Sequence, residues 1–222
     1  MKTKVIMVRH GETEWNVLCK FLGSVDLPLN EKGRRQASYA KEALKDTPID
    51  VIYSSPMKRA YETGEIIRGE RPLDIRVDEG LREIGCGKWE GLDGKEVEER
   101  WPGQIELWGN RPEECRIEGG DTFQQVSDRI VEAFFRIVNE NRGKTILITS
   151  HMICLTLLMI HFKGGSINDM WNVKPIANGA LNVVEVSEDD DVKILAWSDD
   201  HFVPDEDKKG SALVAGRNYV ED

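Results

Sequence analysis

The sequence predicts one α/β domain with a three-layer α/β/α architecture, in which helices cover both faces of a mainly parallel central sheet. Apolar runs of strand length alternate with helical patterns along most of the 222 residues, which is typical of parallel strands joined by helices. Near the end of the chain, residues 180–186 and 192–198 alternate between apolar and polar side chains around an acidic turn. This pattern predicts a hairpin at an antiparallel edge of the sheet.

The first predicted strand leads directly to a cation and an imidazole. Its apolar run ends at Val8, and Arg9, His10 and Gly11 follow, with the glycine expected to let the backbone turn sharply. Ligands of open α/β sheets bind outside the carboxyl ends of the strands, where Arg9 and His10 would lie. Arg9 can bind an anionic oxygen through its guanidinium fork, and His10 can act as a nucleophile or carry a proton.

A loop, a helix and a short strand are predicted next. Residues 11–28 contain glycine and proline without a regular apolar period, so they are interpreted as a loop. Asn30 is the predicted N-cap of a helix over 31–45, because its side-chain oxygen can accept from N–H groups of the first turn. Residues 50–53 predict the strand.

A second helix, over 56–69, is predicted directly after that strand. Ser55 is its predicted N-cap, and Pro56 would occupy the first helical position. Arg59 then lies in the first turn, where unpaired N–H groups and the helix dipole favour a phosphate. The start of this helix is therefore predicted to take part in anion binding.

Residues 71–120 differ from the rest of the chain and are interpreted as an insertion that forms a cap above a pocket. Glycines and tryptophans accumulate there, and the regular elements predicted are a strand over 75–77 and a short helix around 94–100. Aromatic side chains can line a ligand site, but packing is the more common role of a single tryptophan. We predict packing roles for Trp89, Trp101 and Trp108.

The chain then returns to alternating helices and strands. Asp121 or Thr122 is the predicted N-cap of a strongly amphipathic helix over 122–141. An apolar strand over 144–149 and a helix over 152–162 follow, and they repeat the layout seen at the start of the chain.

No linker or repeat divides the chain, so residues 1–222 are expected to form a single domain. The net charge of −10 argues against nucleic acid as a partner, because phosphate neutralisation needs a basic face. The longest apolar run, 152–160, is too short to cross a membrane, and a strand begins without a preceding signal peptide. A cytoplasmic protein is expected, with residues 203–222 as a polar tail or strap.

The cysteines and histidines do not suggest a metal centre. The sequence contains four of each, and the cysteines are widely spaced, which favours neither a zinc cluster nor a disulfide framework. We therefore expect no metal and no cofactor, with the thiols reduced. The cysteines are Cys19, Cys86, Cys115 and Cys154.

Four residues suited to phosphate chemistry come from separate parts of the chain. His10 and His151 each follow a predicted strand, Arg59 begins a helix, and Glu83 lies in the glycine-rich cap. Their surrounding motifs closely resemble those of the histidine phosphatase superfamily, in the branch of the cofactor-dependent phosphoglycerate mutases and their phosphatase relatives. The resemblance covers about residues 3–200. Its motifs are Arg9-His10-Gly11-Glu12-Thr13-Glu14-Trp15-Asn16, Ser54-Ser55-Pro56-Met57-Lys58-Arg59-Ala60, Leu81-Arg82-Glu83-Ile84 and Ser150-His151.

The resemblance implies a phosphohistidine mechanism. His10 would attack phosphorus and carry the phosphoryl group, while Glu83 would protonate the leaving oxygen and later take a proton from water. The charge on the transferring oxygens would be stabilised by the residues that surround them, which are Arg9, Arg59, His151 and Asn16. This assignment agrees with the needs of phosphoryl transfer, which are positioning, preorganised positive charge and a nearby acid.

Two departures from the family pattern concern the substrate contacts. The second histidine is usually followed by glycines, but here Met152 follows it; its backbone N–H is still expected to point at phosphate, while its side chain would narrow the site. Leu22 precedes Gly23 where the family often has glutamine, which removes one polar group near the rim. Gly23 is retained as a substrate-binding position.

The alternatives are a phosphatase, a mutase and a non-catalytic binder of phosphorylated ligands. The intact catalytic set argues against the binder, because binding alone does not need an acid. The mutases hold a phosphoglycerate carboxylate with a basic insertion, whereas the cations of the insertion here are interspersed with acids. We therefore predict a phosphatase that acts on a small-molecule phosphomonoester. We expect the protein to be a monomer or a homodimer. The insertion's cations are Lys88, Lys95, Arg100, Arg111 and Arg116.

Overall fold

A computed structural model describes residues 2–208, whose six strands form one sheet. The strands are β1 Thr3–Arg9, β2 Val51–Ser54, β3 Ile75–Val77, β4 Thr145–Ser150, β5 Leu181–Val186 and β6 Val192–Asp199. Their order is β3-β2-β4-β1-β5-β6, with β1, β2, β3 and β4 parallel to one another. β5 pairs antiparallel with β1 and with β6, which confirms the predicted hairpin at an antiparallel edge.

Helices cover both faces of the sheet, which confirms the predicted three-layer architecture. The helices are α1 Glu14–Val17, α2 Glu31–Ala43, α3 Lys58–Arg68, α4 Gly94–Arg100, α5 Gln104–Asn110, α6 Phe123–Glu140, α7 Met152–Phe162 and α8 Asp205–Lys208. Successive side chains of a strand point to opposite faces. Ile6 and Val8 therefore pack in the cluster of α2 and α3, whereas Val5 and Met7 pack in the larger cluster of α6 and α7.

The strand register brings the predicted site residues together. Arg9 pairs with Ser150 across β1 and β4, and Ser54 pairs with Thr149 across β2 and β4. The three strands thus end at nearly the same level, and the residues that follow them, among them His10, share one edge of the sheet. The N–H group of His10 donates to Ser150 O at 3.0 Å, which extends the β1–β4 ladder to the nucleophile candidate.

The start of α3 differs from the prediction. The helix begins at Lys58 rather than 56, its N-cap is Met57, and the prediction of Ser55 as N-cap is wrong. The N–H of Met57 donates to Ser55 Oγ at 3.3 Å, and that of Lys58 donates to Asp26 Oδ1 at 2.7 Å. Both N–H groups therefore already have acceptors within the protein. What the start of α3 contributes to the site is the side chain of Arg59.

Gly11 has a different role from the sharp turn predicted. Its φ angle is not among the positive values found within residues 2–208. A Cβ atom at this position would lie 2.2 Å from the carbonyl oxygen of Gly33, in the first turn of α2. Glycine is needed here because the loop after β1 and the backbone of α2 approach each other closely.

The segment 71–120 contains β3, α4, α5 and three 3₁₀ turns, and its core is continuous with that of α6 and α7. Trp89 and Trp108 are buried, and Trp108 contacts the rings of Phe21, Phe123 and Trp171 at 4.8–5.7 Å between centroids. The packing predicted for Trp89 and Trp108 is therefore observed. Partly buried Trp101 packs against the same cluster.

The last described residues dock onto α2. Asp207 is buried, and its carboxylate accepts from Arg35 Nε at 3.0 Å, Arg35 Nη2 at 2.6 Å and the hydroxyl of Tyr39 at 3.1 Å. The first part of the predicted strap over 203–222 thus contacts the domain, and residues 209–222 lie outside the described part of the chain. No helix within residues 2–208 is long and apolar enough to cross a membrane.

Candidate active site

A cavity of about 570 Å³, including its open mouth, lies at the carboxyl ends of the parallel strands. It brings together seven of the eight residues assigned to the site from the sequence. These seven are Arg9, His10, Asn16, Gly23, Arg59, Glu83 and Met152. The eighth, His151, is fully buried beside the cavity, with its ring centroid 5.2 Å from that of His10.

The imidazole of His10 is neutral and held in one tautomer. Nδ1 lies 2.7 Å from Gly11 O, and because a carbonyl oxygen only accepts, Nδ1 carries the proton and donates it. Burial lowers the pKa of His10 well below 6.5, and the charges of Arg59 and Arg9 lower it further. Nε2 therefore keeps an unprotonated lone pair at neutral pH.

The backbone around His10 is fixed from the far end of the chain. Asn178 Nδ2 donates to His10 O at 2.9 Å, and the N–H of Gly179 donates to Arg9 O at 3.0 Å. Both contacts come from the loop that precedes β5. They hold the segment after β1 on one side, while the β1–β4 ladder holds it on the other.

His151 is the N-cap residue of α7 and contacts a serine. Its Nε2 lies 2.8 Å from Ser55 Oγ, and its Nδ1 is buried without a hydrogen-bond partner among residues 2–208. Burial lowers the pKa of His151 well below 6.5, with Arg59, His10 and Arg9 adding to the effect. This histidine is therefore a neutral hydrogen-bonding group rather than a cation. The sequence did not predict this contact between Ser55 and His151, because the position of Ser55 suggested a capping role instead.

Arg9 and Arg59 are buried and anchored on carbonyl oxygens. Arg9 Nη1 donates to Ile176 O at 2.6 Å, while Arg59 donates from Nη1 to Val25 O at 2.8 Å and from Nη2 to Gly23 O at 3.1 Å. Burial lowers the pKa of both guanidinium groups to about 10, and the carboxylate of Glu83 partly offsets that effect. Both arginines remain charged at neutral pH and are already desolvated, which favours binding of an anion.

The carboxylate of Glu83 lies at the N-terminus of α7. It accepts from the N–H groups of Ile153 at 3.3 Å and Cys154 at 3.4 Å, and from that of Ile84 at 3.1 Å. The helix N-terminus predicted to face phosphate near Met152 therefore also positions the candidate acid. Met152 is the first residue of α7 and lines the cavity.

Asn16 and Gly23 complete the rim. Asn16 Oδ1 accepts from the N–H and the hydroxyl of Thr13 at 3.0 and 3.1 Å, so its NH₂ group is the part that can donate to a substrate oxygen. Gly23 has a φ of 50°, and a Cβ atom there would lie 2.3 Å from Glu90 Oε1. Its position requires glycine, and its carbonyl oxygen holds Arg59 in place.

Several cavity residues were not assigned to the site from the sequence. Lys20, Phe21 and Leu22 directly precede Gly23, and this proximity was the available signal. Of the remaining four, two adjoin Glu83 and Met152 in sequence, one is a tryptophan of the insertion, and one is a cysteine without any such signal. The four are Ile84, Cys86, Trp108 and Ile153.

The described part of the chain contains no group of three or more histidine, cysteine, aspartate or glutamate side chains that could hold a metal ion. The four cysteines are unpaired with one another. The cations of the insertion do not line the cavity. The charges that do line it are Arg9, Lys20, Arg59 and Glu83.

Comparison with known proteins identifies the family. A family model described as the histidine phosphatase superfamily, branch 1, matches residues 5–200. This chain belongs to the histidine phosphatase superfamily. Its membership confirms the resemblance drawn from the sequence motifs and the expectation of an enzyme of the phosphatase type.

Relatives of this histidine phosphatase carry both phosphatase and mutase names. Phosphoserine phosphatase 1 of Hydrogenobacter thermophilus is 29% identical over 185 residues, which cover 83% of this chain and 87% of that protein. Probable phosphoglycerate mutase GpmB of Salmonella choleraesuis is 36% identical over 159 residues, or 70% of this chain and 73% of that protein. The solved structure of Bacillus stearothermophilus YhfR is 34% identical, with a TM-score of 0.86, and the match covers 89% of this chain and 97% of that one.

Proposed function

We propose that this histidine phosphatase hydrolyses small phosphomonoesters through a phosphohistidine on Nε2 of His10. The observation that carries the proposal is the bond between His10 Nδ1 and Gly11 O, together with the lowered pKa of His10. A nucleophilic imidazole needs a lone pair on the attacking nitrogen at working pH, and this arrangement supplies one without a separate base.

In the first step, Nε2 of His10 attacks phosphorus in line with the ester oxygen. The P–N bond forms as the P–O bond breaks, and Glu83, which takes up a proton when the phosphomonoester binds, gives that proton to the leaving alkoxide. Arg9 and Arg59 bind the equatorial oxygens, with the Asn16 NH₂ group and His151 Nδ1–H as further donors. Buried, preorganised positive charge of this kind is what phosphoryl transfer chiefly requires.

In the second step, water attacks the phosphohistidine. Glu83, now a carboxylate, takes the proton of the attacking water, and the P–N bond breaks to release inorganic phosphate. His10 and Glu83 return to their starting protonation states, so the cycle is balanced. Since two guanidinium groups neutralise the phosphate, we propose that no metal ion takes part.

A phosphatase is favoured over a mutase by the lining of the cavity. A mutase must retain a phosphorylated carboxylic acid between two transfers, and the insertion's five cations would be the groups to do so. None of these cations lines the cavity. Phosphatase names among the relatives also support hydrolysis, although GpmB carries the name of a probable mutase.

Phosphate release from a panel of phosphomonoesters in the presence of EDTA tests the proposal. The panel contains p-nitrophenyl phosphate, O-phosphoserine, 3-phosphoglycerate and sn-glycerol 3-phosphate. We expect turnover by the parent and a loss of at least about 10³-fold in His10→Ala, since the nucleophile is removed. His201→Ala is the matched control, because the side chain of His201 is 79% exposed and remote in sequence from the site motifs.

Rapid quenching should trap an acid-labile, alkali-stable phosphoprotein in the parent and none in His10→Ala. Equal activity of parent and His10→Ala would refute the proposal. Conversion of 3-phosphoglycerate to 2-phosphoglycerate, stimulated by 2,3-bisphosphoglycerate and faster than phosphate release, would instead identify a mutase. Binding of phosphorylated ligands with no turnover in either assay would identify a non-catalytic regulator.

A further inference from the structure

The proposed acid, Glu83, lies in a segment without regular secondary structure. Residues 82–86 belong to neither a helix nor a strand, so their backbone N–H and C=O groups need partners from elsewhere. A general acid must also stay within hydrogen-bond reach of the oxygen that it protonates. The contacts that fix this backbone therefore bear directly on the proton transfer.

Arg129 of α6 supplies several of those contacts. Its Nη1 donates to Gly80 O at 3.1 Å and to Arg82 O at 2.7 Å, and its Nη2 donates to Glu83 O at 3.4 Å. A guanidinium group holds its N–H donors in a rigid planar fork. One side chain thus spans three carbonyl oxygens, and the last of them belongs to Glu83 itself.

The start of the same helix holds the other side of Glu83. Asp121, two residues before α6, accepts from the N–H of Gly85 at 2.8 Å, and its own N–H donates to Gly85 O at 2.8 Å. Arg129 Nη2 lies 3.9 Å from Asp121 Oδ2. Since α6 packs against α7, whose first turn binds the Glu83 carboxylate, the backbone and the side chain of Glu83 are held by the same helix pair.

We infer that Arg129 positions the carboxyl group of Glu83 for proton transfer by holding the carbonyl oxygens on either side of it. The inference rests on the proposed function, because it extends the role given there to Glu83. Arg129 does not line the cavity, whereas Arg9 and Arg59 do. It therefore acts through Glu83 rather than on the phosphoryl group, and it is a positioning residue.

Two esters with different leaving groups test the inference. The alkoxide of sn-glycerol 3-phosphate must be protonated as it leaves, whereas p-nitrophenolate leaves as an anion. We expect Arg129→Met to lower kcat/KM, which reports the first phosphoryl transfer, by about tenfold or more for sn-glycerol 3-phosphate and by less than about threefold for p-nitrophenyl phosphate. Equal losses on both esters would mean that Arg129 only supports the fold, and they would overturn the inference.

The control variant is Arg136→Met on the same helix. Arg136 Nη2 donates to Asp78 Oδ2 at 2.7 Å, so this variant loses a contact with the same segment while the carbonyl oxygens around Glu83 keep their donors. The ratio of the two kcat/KM values should stay within about twofold of the parent ratio. Arg129→Lys keeps the charge without the fork and should resemble Arg129→Met. Full recovery by lysine would assign the effect to charge and overturn the inference.

A double variant shows whether Arg129 acts through Glu83. Once Glu83→Gln has removed the acid, adding Arg129→Met should change kcat/KM for sn-glycerol 3-phosphate by less than about twofold, because coupled residues are not additive. Additive losses would overturn the inference.

Hydrogen exchange separates failure of the inference from failure of the proposed function, because it needs no turnover. The N–H groups of Ile153 and Cys154 donate to the Glu83 carboxylate, and they should exchange about tenfold faster in Arg129→Met than in Arg136→Met. Unchanged exchange at both groups overturns the inference alone. Failure of the parent to hydrolyse either ester overturns the proposed function, and this result is recognised without any variant.

Discussion

The hydroxyl group of Ser55 lies 2.8 Å from Nε2 of His151, and Nδ1 on the opposite side of the ring has no partner among the described residues. Ser55 Oγ already accepts from the N–H of Met57, so its own hydrogen can be donated to Nε2. The proton of the neutral imidazole is then on Nδ1. A phosphoryl oxygen can only accept, so this tautomer is the one that can bind it.

The Ser55→Ala variant should lose this control of the tautomer. We expect kcat to fall roughly three- to tenfold with a smaller change in KM, which corresponds to one neutral hydrogen bond. The ¹⁵N chemical shifts of His151 report the tautomer directly and should change from Nδ1–H to a mixture. An unchanged ¹⁵N spectrum alongside a lowered kcat would mean that Ser55 acts only through packing.

The Glu83→Gln variant should separate substrates by their leaving groups. An alkoxide must be protonated as it leaves, whereas p-nitrophenolate is stable as an anion. We expect a loss of about 10²–10⁴ in kcat for alkyl phosphomonoesters and a much smaller loss for p-nitrophenyl phosphate. Glutamine has nearly the same shape, and its one oxygen can accept from Ile84 and Cys154 as Oε1 of Glu83 does, whereas the acceptor of Ile153 is lost. Equal losses on both substrate types would contradict the role of Glu83 as the acid.

His10 and His151 should remain neutral where an ordinary histidine becomes charged. Their pKa values lie well below 6.5, chiefly because both rings are buried. NMR titration should show no change in either imidazole as the pH falls through 6.5. The unfolded chain does take up these protons, so the free energy of unfolding should decrease as the pH drops below that value towards the folded-state pKa. A titration midpoint near 6.5 for His10 would contradict the neutral nucleophile.

The Asp207→Asn variant should destabilise the docking of α8 on α2. Removing the charged acceptor of Arg35 and Tyr39 is expected to lower the free energy of unfolding by roughly 1–3 kcal/mol near neutral pH. Arg35 holds the pKa of Asp207 below its usual 3.8, so this stabilisation is present above the unfolded-state pKa and is lost as the pH falls towards the folded-state pKa. Chemical denaturation at several pH values measures it. Asp205→Asn is the control, since the side chain of Asp205 is 91% exposed.

Regular elements and motif residues were the most predictable part of this protein. The strand over 75–77 and the helix over 152–162 coincide with β3 and α7. The capping box of Thr122 and Gln125 similarly marks the start of α6. The carboxyl ends of adjacent parallel strands then bring Arg9, His10 and His151 together by topology alone.

The parts that the sequence did not predict depend on contacts between distant segments. Ser55 could be a cap or a partner of a histidine, and the pairing of β2 with β4, which brings Ser55 beside His151, decides between the two. Lys20 becomes part of the cavity because the insertion returns to it through Asp93 and Gly91. Gly11 is required by Gly33, which no local pattern around residue 11 can reveal.

The hydrogen bonds from Arg9 to Ile176 and from Asn178 to His10 span 167 and 168 residues of chain. Synthesis proceeds from the N-terminus, so a nascent chain contains His10 long before the segment that fixes its backbone has left the ribosome. Contacts of such high sequence separation also form late in folding, because the entropy of closing a long loop must be overcome first. We therefore expect the backbone around Arg9 and His10 to be fixed late in folding, because a chain that ends before residue 176 lacks both of these hydrogen bonds.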